Sequence, residues 1–211
     1  MAVITVSRQF ASGGAQIAQR VAEQLGWTLV DHELVDRVAE RVGLPPEEVA
    51  RREERVATLI ERLAKTLTLS SPEVFLTGAD LSADATKSLE DLVRITEAVI
   101  HEAAEHGDVV LVGRGAQACL GRRADTLHVR VVAPKEERIR AARERLDLSE
   151  KEAERKVHRI DQDRKAYVET YYKRNWNDAA NYHLVVNSAL LTYDQAVDLI
   201  VHTAHARFGD R

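Results

Sequence analysis

The amino-acid sequence predicts an α/β fold: a three-layer α/β/α sandwich with a five-stranded parallel sheet and a helical insertion. Three observations predict it. Short β-branched runs recur along the chain, each too short for a stable helix. Amphipathic helical stretches lie between them and stop at glycines. Strand and helix alternate, which makes the sheet parallel. With 211 residues, 45% of them hydrophobic, the chain can bury one sizeable core and reads as a single domain over residues 1–211.

The first strand is Val3–Val6, followed by a small-residue loop and a helix whose Ile17, Val21 and Leu25 repeat every four residues up to Gly26. Thr28–Val30 is the second strand. Residues 44–87 then break the rhythm with Pro45-Pro46, a charged run from Glu47 to Lys65, Ser70-Ser71-Pro72 and Gly78. This helical insertion either covers a sheet edge or grips a substrate as a lid. Leu89, Val93, Thr96, Ile100 and Ala103 place a helix ahead of Gly107 and the third strand, Val109–Val112. Leu127–Val132 is the fourth strand. Residues 135–175 form a lid-like, arginine-rich helical region whose basic and acidic residues interleave; Ser149 with Glu152 has capping-box spacing there. Leu184–Val186 is the fifth strand, and Thr192 with Gln195 starts the last helix.

Composition narrows the function. A net charge of −4 with 30% charged residues describes a surface of mixed sign, which argues against nucleic acid as a main partner. The N-terminal residues show no basic leader, and no stretch approaches the apolar length of a membrane span. Cys119 is the only cysteine, so an intrachain disulfide and a multi-cysteine metal site are excluded. These features lead to the expectation of a soluble, cytoplasmic protein.

In open parallel sheets the ligand crevice lies beyond the carboxyl ends of the strands. The residues there are Ser7-Arg8, Asp31-His32, Gly113-Arg114 and Asn187-Ser188. After the first strand, Ala11, Ser12, Gly13, Gly14, Ala15 and Gln16 form a candidate phosphate cradle, because small residues let backbone amides and a helix N-terminus converge on an anion. Against the pattern G-x-x-x-x-G-K-[ST], Arg8 stands at the first glycine, Gly14 at the lysine and Ala15 at the hydroxyl residue. A plain glycine-rich turn therefore remains an alternative at this point. If a triphosphate binds, Arg8 is the nearest candidate for the missing charge, and Ser12, Gln16 or water for the missing magnesium ligand.

Four segments carry a family resemblance: Ser7-Arg8-Gln9-Phe10 with Ser12-Gly13-Gly14; Val112-Gly113-Arg114-Gly115-Ala116; Asp161, Arg164, Tyr167 and Tyr171; and Trp176, Asp178, Asn181-Tyr182, Leu184 and Asn187-Ser188. Together they resemble the cytidylate kinase-like family over nearly the whole chain, with Ala11 and Ala15 departing from its usual glycine and arginine. The resemblance implies a P-loop NTPase-type fold lacking the loop lysine, with ATP and magnesium as cofactors. It also implies transfer of the terminal phosphoryl group from a nucleoside triphosphate donor to a nucleoside monophosphate or other small phosphorylated acceptor. Asp31, Arg37 and Arg114 match acceptor-binding positions of the more distant true cytidylate kinases, while Gly115 replaces their aspartate. Arg159 and Arg164 are the lid arginines that the resemblance sets over the donor, with Arg159–Asp163 or Asp161–Arg164 as the retained pair.

Each of these residues has a structural alternative. Arg37, Arg159 and Arg164 could form helix-surface ion pairs. Tyr167, Tyr171, Trp176 and Tyr182 read as packing residues. A nucleotide-binding sensor without transferase activity is the competing function. Gly113-Arg114-Gly115-Ala116-Gln117-Ala118 fits a relaxed dinucleotide fingerprint but lacks its acidic partner. His101 and His106 are five residues apart, so a helix turns them to different faces, away from zinc geometry.

Overall fold

The computed structural model describes residues 1–30 and 83–209. Asp31, Arg37 and residues 44–82 of the insertion lie outside the described residues. In chain order the elements are β1 (Val3–Arg8), α1 (Gly14–Leu25), β2 (Thr28–Val30), α2 (Ala83–His106), β3 (Val109–Val112), α3 (Ala116–Leu120) and β4 (Thr126–Val132). There follow α4 (Lys135–Leu146), α5 (Glu150–Tyr172), a 3-10 turn (Ala179–Asn181), β5 (Leu184–Asn187) and α6 (Tyr193–Phe208). All strand pairs are parallel, in the order β2-β3-β1-β4-β5. The chain is thus an α/β protein with a five-stranded parallel sheet between layers of helices.

Strand alternation builds the layers. Ile4 and Val6 of β1 and Leu127, Val129 and Val131 of β4 turn to one face, where they pack with Ile17 and Val21 of α1 and Val197 and Ile200 of α6. Val3, Val109 and Leu111 turn to the other face, against Ile100 and Ala103 of α2 and Leu120 of α3. Ile4, Ile17, Leu127 and Ile200 are fully buried. Each contributes about 1.5–3 kcal/mol through the apolar surface it removes from water.

β4 departs from the pattern of a strand apolar on both sides. Its alternate residues Thr126, His128 and Arg130 are all buried, so a polar stripe runs through the second face. Thr5 pairs in register with His128, and Ser7 with Arg130. His128 is fully bonded: Thr5 Oγ1 lies 2.7 Å from its Nδ1, and Gly121 O lies 2.6 Å from its Nε2. Arg130 is handled by aromatic rings, as described below.

The capping boxes at Ser149–Glu152 and Thr192–Gln195 are both formed, and they start α5 and α6. β1 runs two residues beyond its predicted end and takes in Ser7 and Arg8. The short α3, in the Gly113–Ala118 segment, was not anticipated as a helix. Among the described residues no helix is long and apolar enough to cross a membrane.

Candidate phosphate-binding site

The loop after β1 is held from both sides. Gln9 N donates to Val131 O at 3.0 Å, and Gln9 Oε1 accepts from Ala133 N at 3.1 Å, which ties the loop to the end of β4. Phe10 N donates to Asp161 Oδ1 at 2.8 Å, and Phe10 O accepts from Arg138 Nη1 at 3.3 Å. Arg138 Nη1 also meets Asp161 Oδ2 at 2.5 Å, so α4 and α5 close a charged clamp on one peptide unit. Ala11 and Gly13 then take left-handed conformations with φ of 60° and 76°. Ser188 Oγ donates to Ser12 O at 2.6 Å and anchors the far side to the β5–α6 connection.

This bend delivers the chain to the N-terminus of α1. The helix has no side-chain cap and no acidic residue in its first turn. The amides of Gly14, Ala15 and Gln16 therefore lack an acceptor among the described residues. First-turn amides of this kind, with the partial positive charge of the helix end, suit an anion such as a phosphate. Gly13 suits this place for two reasons: its φ of 76° is left-handed, and a Cβ would press on the phenol of Tyr193 at the start of α6.

Magnesium fits less well. Ser12 Oγ donates to Gln9 O at 2.9 Å and is buried, which turns the hydroxyl away from the loop mouth. Among the described residues no group of three or more His, Cys, Asp or Glu side chains gathers to hold a metal ion. The described residues do not build a magnesium site of their own.

The candidate arginines separate into distinct places. The Arg8 stem passes beneath Gly14 and its guanidinium packs on Gly113, where a Cβ would collide with it. Its charge thus stands at the end of β3. Gly113, Arg114 and Gly115 have φ of 82°, 53° and 69°, a left-handed run that includes one non-glycine. Arg114 is half-buried there and close to Tyr167, whose phenol burial pushes up to about 12 while the Arg114 charge pulls against the shift. Arg164 is 9% exposed; its Nη1 donates to Arg8 O at 2.9 Å, and its guanidinium lies 5.9 Å from the Phe10 ring. Arg159 lies on the exposed face of α5.

The cytidylate kinase-like family matches this chain over residues 3–190. The chain belongs to the cytidylate kinase-like family. Among solved structures, an uncharacterized protein from Eubacterium ventriosum ATCC 27560 superposes with a TM-score of 0.69 at 22% identity, covering 98% of this chain and 100% of that one. TT1252 from Thermus thermophilus gives a TM-score of 0.51 at 18% identity, covering 96% and 97%. These likenesses concern the fold. A uronate isomerase of Corynebacterium glutamicum is 31% identical over 143 residues, 67% of this chain. The matched part is 27% of that protein's length.

Several residues that shape the site in this cytidylate kinase-like chain were not singled out by sequence reasoning. Arg130 is 3% exposed and stacks 4.1 Å from the Trp176 ring centroid; it donates to Trp176 O, to Tyr182 Oη at 3.1 Å and to Asn177 Oδ1 at 2.7 Å. Trp176 Nε1 and Tyr182 Oη in turn reach Ser7 Oγ at 3.0 and 3.3 Å. The aromatic motif is thus a box around a buried cation that fixes the carboxyl end of β1. The signal for it was the polar alternation of Thr126, His128 and Arg130 within an otherwise apolar strand. Arg145, at the end of α4, donates to Tyr193 Oη at 2.9 Å and was also passed over. Cys119 is half-buried, and burial pushes its thiol up to about 12, which fits a packing residue.

Proposed function

We propose that the protein moves the terminal phosphoryl group of ATP to a nucleoside monophosphate or another small phosphorylated acceptor. The observation that supports this reading is the clamped bend at residues 9–13, which opens onto first-turn amides without acceptors. Ala11 to Gln16 would cradle the donor phosphates, with magnesium entering as part of the ATP complex.

An acceptor phosphate oxygen attacks the γ-phosphorus; a P–O bond forms there while the bond to the β,γ-bridging oxygen breaks, and its electron pair leaves with ADP. The attacking oxygen is already ionised, so no general base is required and catalysis reduces to positioning and charge screening. Arginine suits that role because its planar fork holds two oxygens and stays protonated. Arg114 would take the acceptor phosphate, together with Asp31 and Arg37. Its left-handed backbone costs about 1 kcal/mol, a strain that tends to collect at functional sites. Arg8, with its head at Gly113, would bridge donor and acceptor. Arg159, exposed on α5, would close over the donor, while Arg164 would act as a positioning residue through Arg8 O.

The loop sequence itself favours a second reading. With Gly14 and Ala15 at the lysine and hydroxyl positions, the protein could bind nucleotide as a sensor without transfer. A coupled assay with ATP and a panel of nucleoside monophosphates, run beside calorimetry, separates the two. Turnover on one acceptor supports the transferase; ATP binding with no turnover on any acceptor supports the sensor.

A further inference from the structure

We infer that Arg145 is the cation that meets the donor polyphosphate at the loop, in the role that the P-loop pattern gives to a lysine at position 14. The inference rests on the nucleotide-binding reading above and names a residue within that site. Arg145 reaches the loop from α4 through two neutral side chains. Its Nη2 donates to Tyr193 Oη at 2.9 Å, and that phenol lies over Gly13. With the Gln16 amide turned to the orientation that satisfies its neighbours, its oxygen accepts from Arg145 Nη1 at 3.2 Å and its nitrogen donates to Gly13 O at 3.2 Å. The guanidinium is therefore one side chain away from the loop glycine by two separate routes.

Charge balance sharpens the argument. Arg20 pairs with Asp194, Arg123 with Asp125, Arg138 with Asp161, Arg140 with Glu137 and Arg143 with Glu150. Among the described residues Arg145 has no carboxylate within ion-pair distance. The α1 N-terminus beside it has no acidic residue in its first turn either. Two positive features thus converge at Gly13 with no anion to balance them, and a polyphosphate supplies the missing charge. Arg8 does not fill this place, because its head is turned to Gly113.

The test is calorimetric titration of the full chain with ATP and with ADP, in wild type, Arg145→Ala and Arg145→Lys, with acceptor KM measured at saturating ATP. Arg145→Ala weakens both nucleotides by about tenfold or more, as expected for loss of a charge-assisted hydrogen bond, and flattens the salt dependence of binding. Arg145→Lys recovers part of the affinity, acceptor KM stays within about twofold, and the melting temperature of the exposed-site variants stays within about 2 °C. If Arg145→Ala fails to fold, Arg145→Gln carries the same comparison. ATP affinity within twofold of wild type in the alanine or glutamine variant overturns the inference and leaves the nucleotide-binding reading standing. A wild-type chain that binds no ATP overturns both.

Discussion

Asp161 and Arg138 meet at 2.5 Å beside the loop that follows β1, with side chains only 15% and 8% exposed, and between them they bind both the N–H and the C=O of Phe10. Removing one partner strands the other's charge in a poorly solvated place, which costs more than the pair contributes. Asp161→Asn is expected to lower stability by about 3–5 kcal/mol in urea unfolding. The double variant Asp161→Asn, Arg138→Met should lose less than the sum of the singles, which a double-mutant cycle reads directly. A single variant within 1 kcal/mol of wild type would show that the clamp is dispensable.

Stability should also fall on mild acidification. Burial, its largest cause, pushes the His128 imidazole from 6.5 down to about 4, so the folded chain keeps it neutral while the unfolded chain protonates it. The stability it contributes is complete above the unfolded pKa and is lost as pH falls from 6.5 toward 4. The loss across that window is about 3 kcal/mol. His183, also shifted down chiefly by burial, acts with the same sign. Urea unfolding at pH 7 and pH 5 measures the slope, and a His128→Gln variant should flatten it.

At the loop, Gly13→Ala sets a methyl group into the Tyr193 phenol and forces a non-glycine to φ of 76°. Loss of ATP binding in calorimetry is the expected result, with a stability cost of about 1–3 kcal/mol. Adding Tyr193→Ala should recover part of the stability by removing the collision while the backbone strain stays. Undiminished ATP binding by Gly13→Ala would place the nucleotide elsewhere.

Cys119 should react slowly with iodoacetamide. A thiol pushed from 9.0 up to about 12 has a thiolate fraction about a thousandfold below that of an unperturbed one at pH 8. Alkylation followed by mass spectrometry in native buffer and in urea tests this. Equal rates in the two would contradict the buried assignment.

Most of the sheet was legible because its strands are short β-branched runs punctuated by glycine, and both capping boxes were read at the residues where helices begin. The loop could be found for the same reason: small residues between a strand and a helix have few other uses. The contacts that fix the loop were not legible. Asp161 could have paired with Arg164 or stayed in solvent by helical spacing alone; the turn between α4 and α5 brings it to Arg138 instead. The role of Arg130 was not legible within the strand Leu127–Val132, because its acceptors come from residues 176–182, far along the chain. The lid arginines singled out by motif were Arg159 and Arg164, whereas Arg145, outside any motif, reaches toward Gly13 through Tyr193. Folding decides which cations converge, and spacing along one helix does not carry that information.

The aromatic box around Arg130 has a consequence for the order in which the molecule becomes competent. Residues 9–16 leave the ribosome well before the groups that hold their entry and exit, Trp176, Tyr182 and Ser188. A nascent chain arrested before Trp176 is therefore expected to carry the loop sequence without the contacts that shape it.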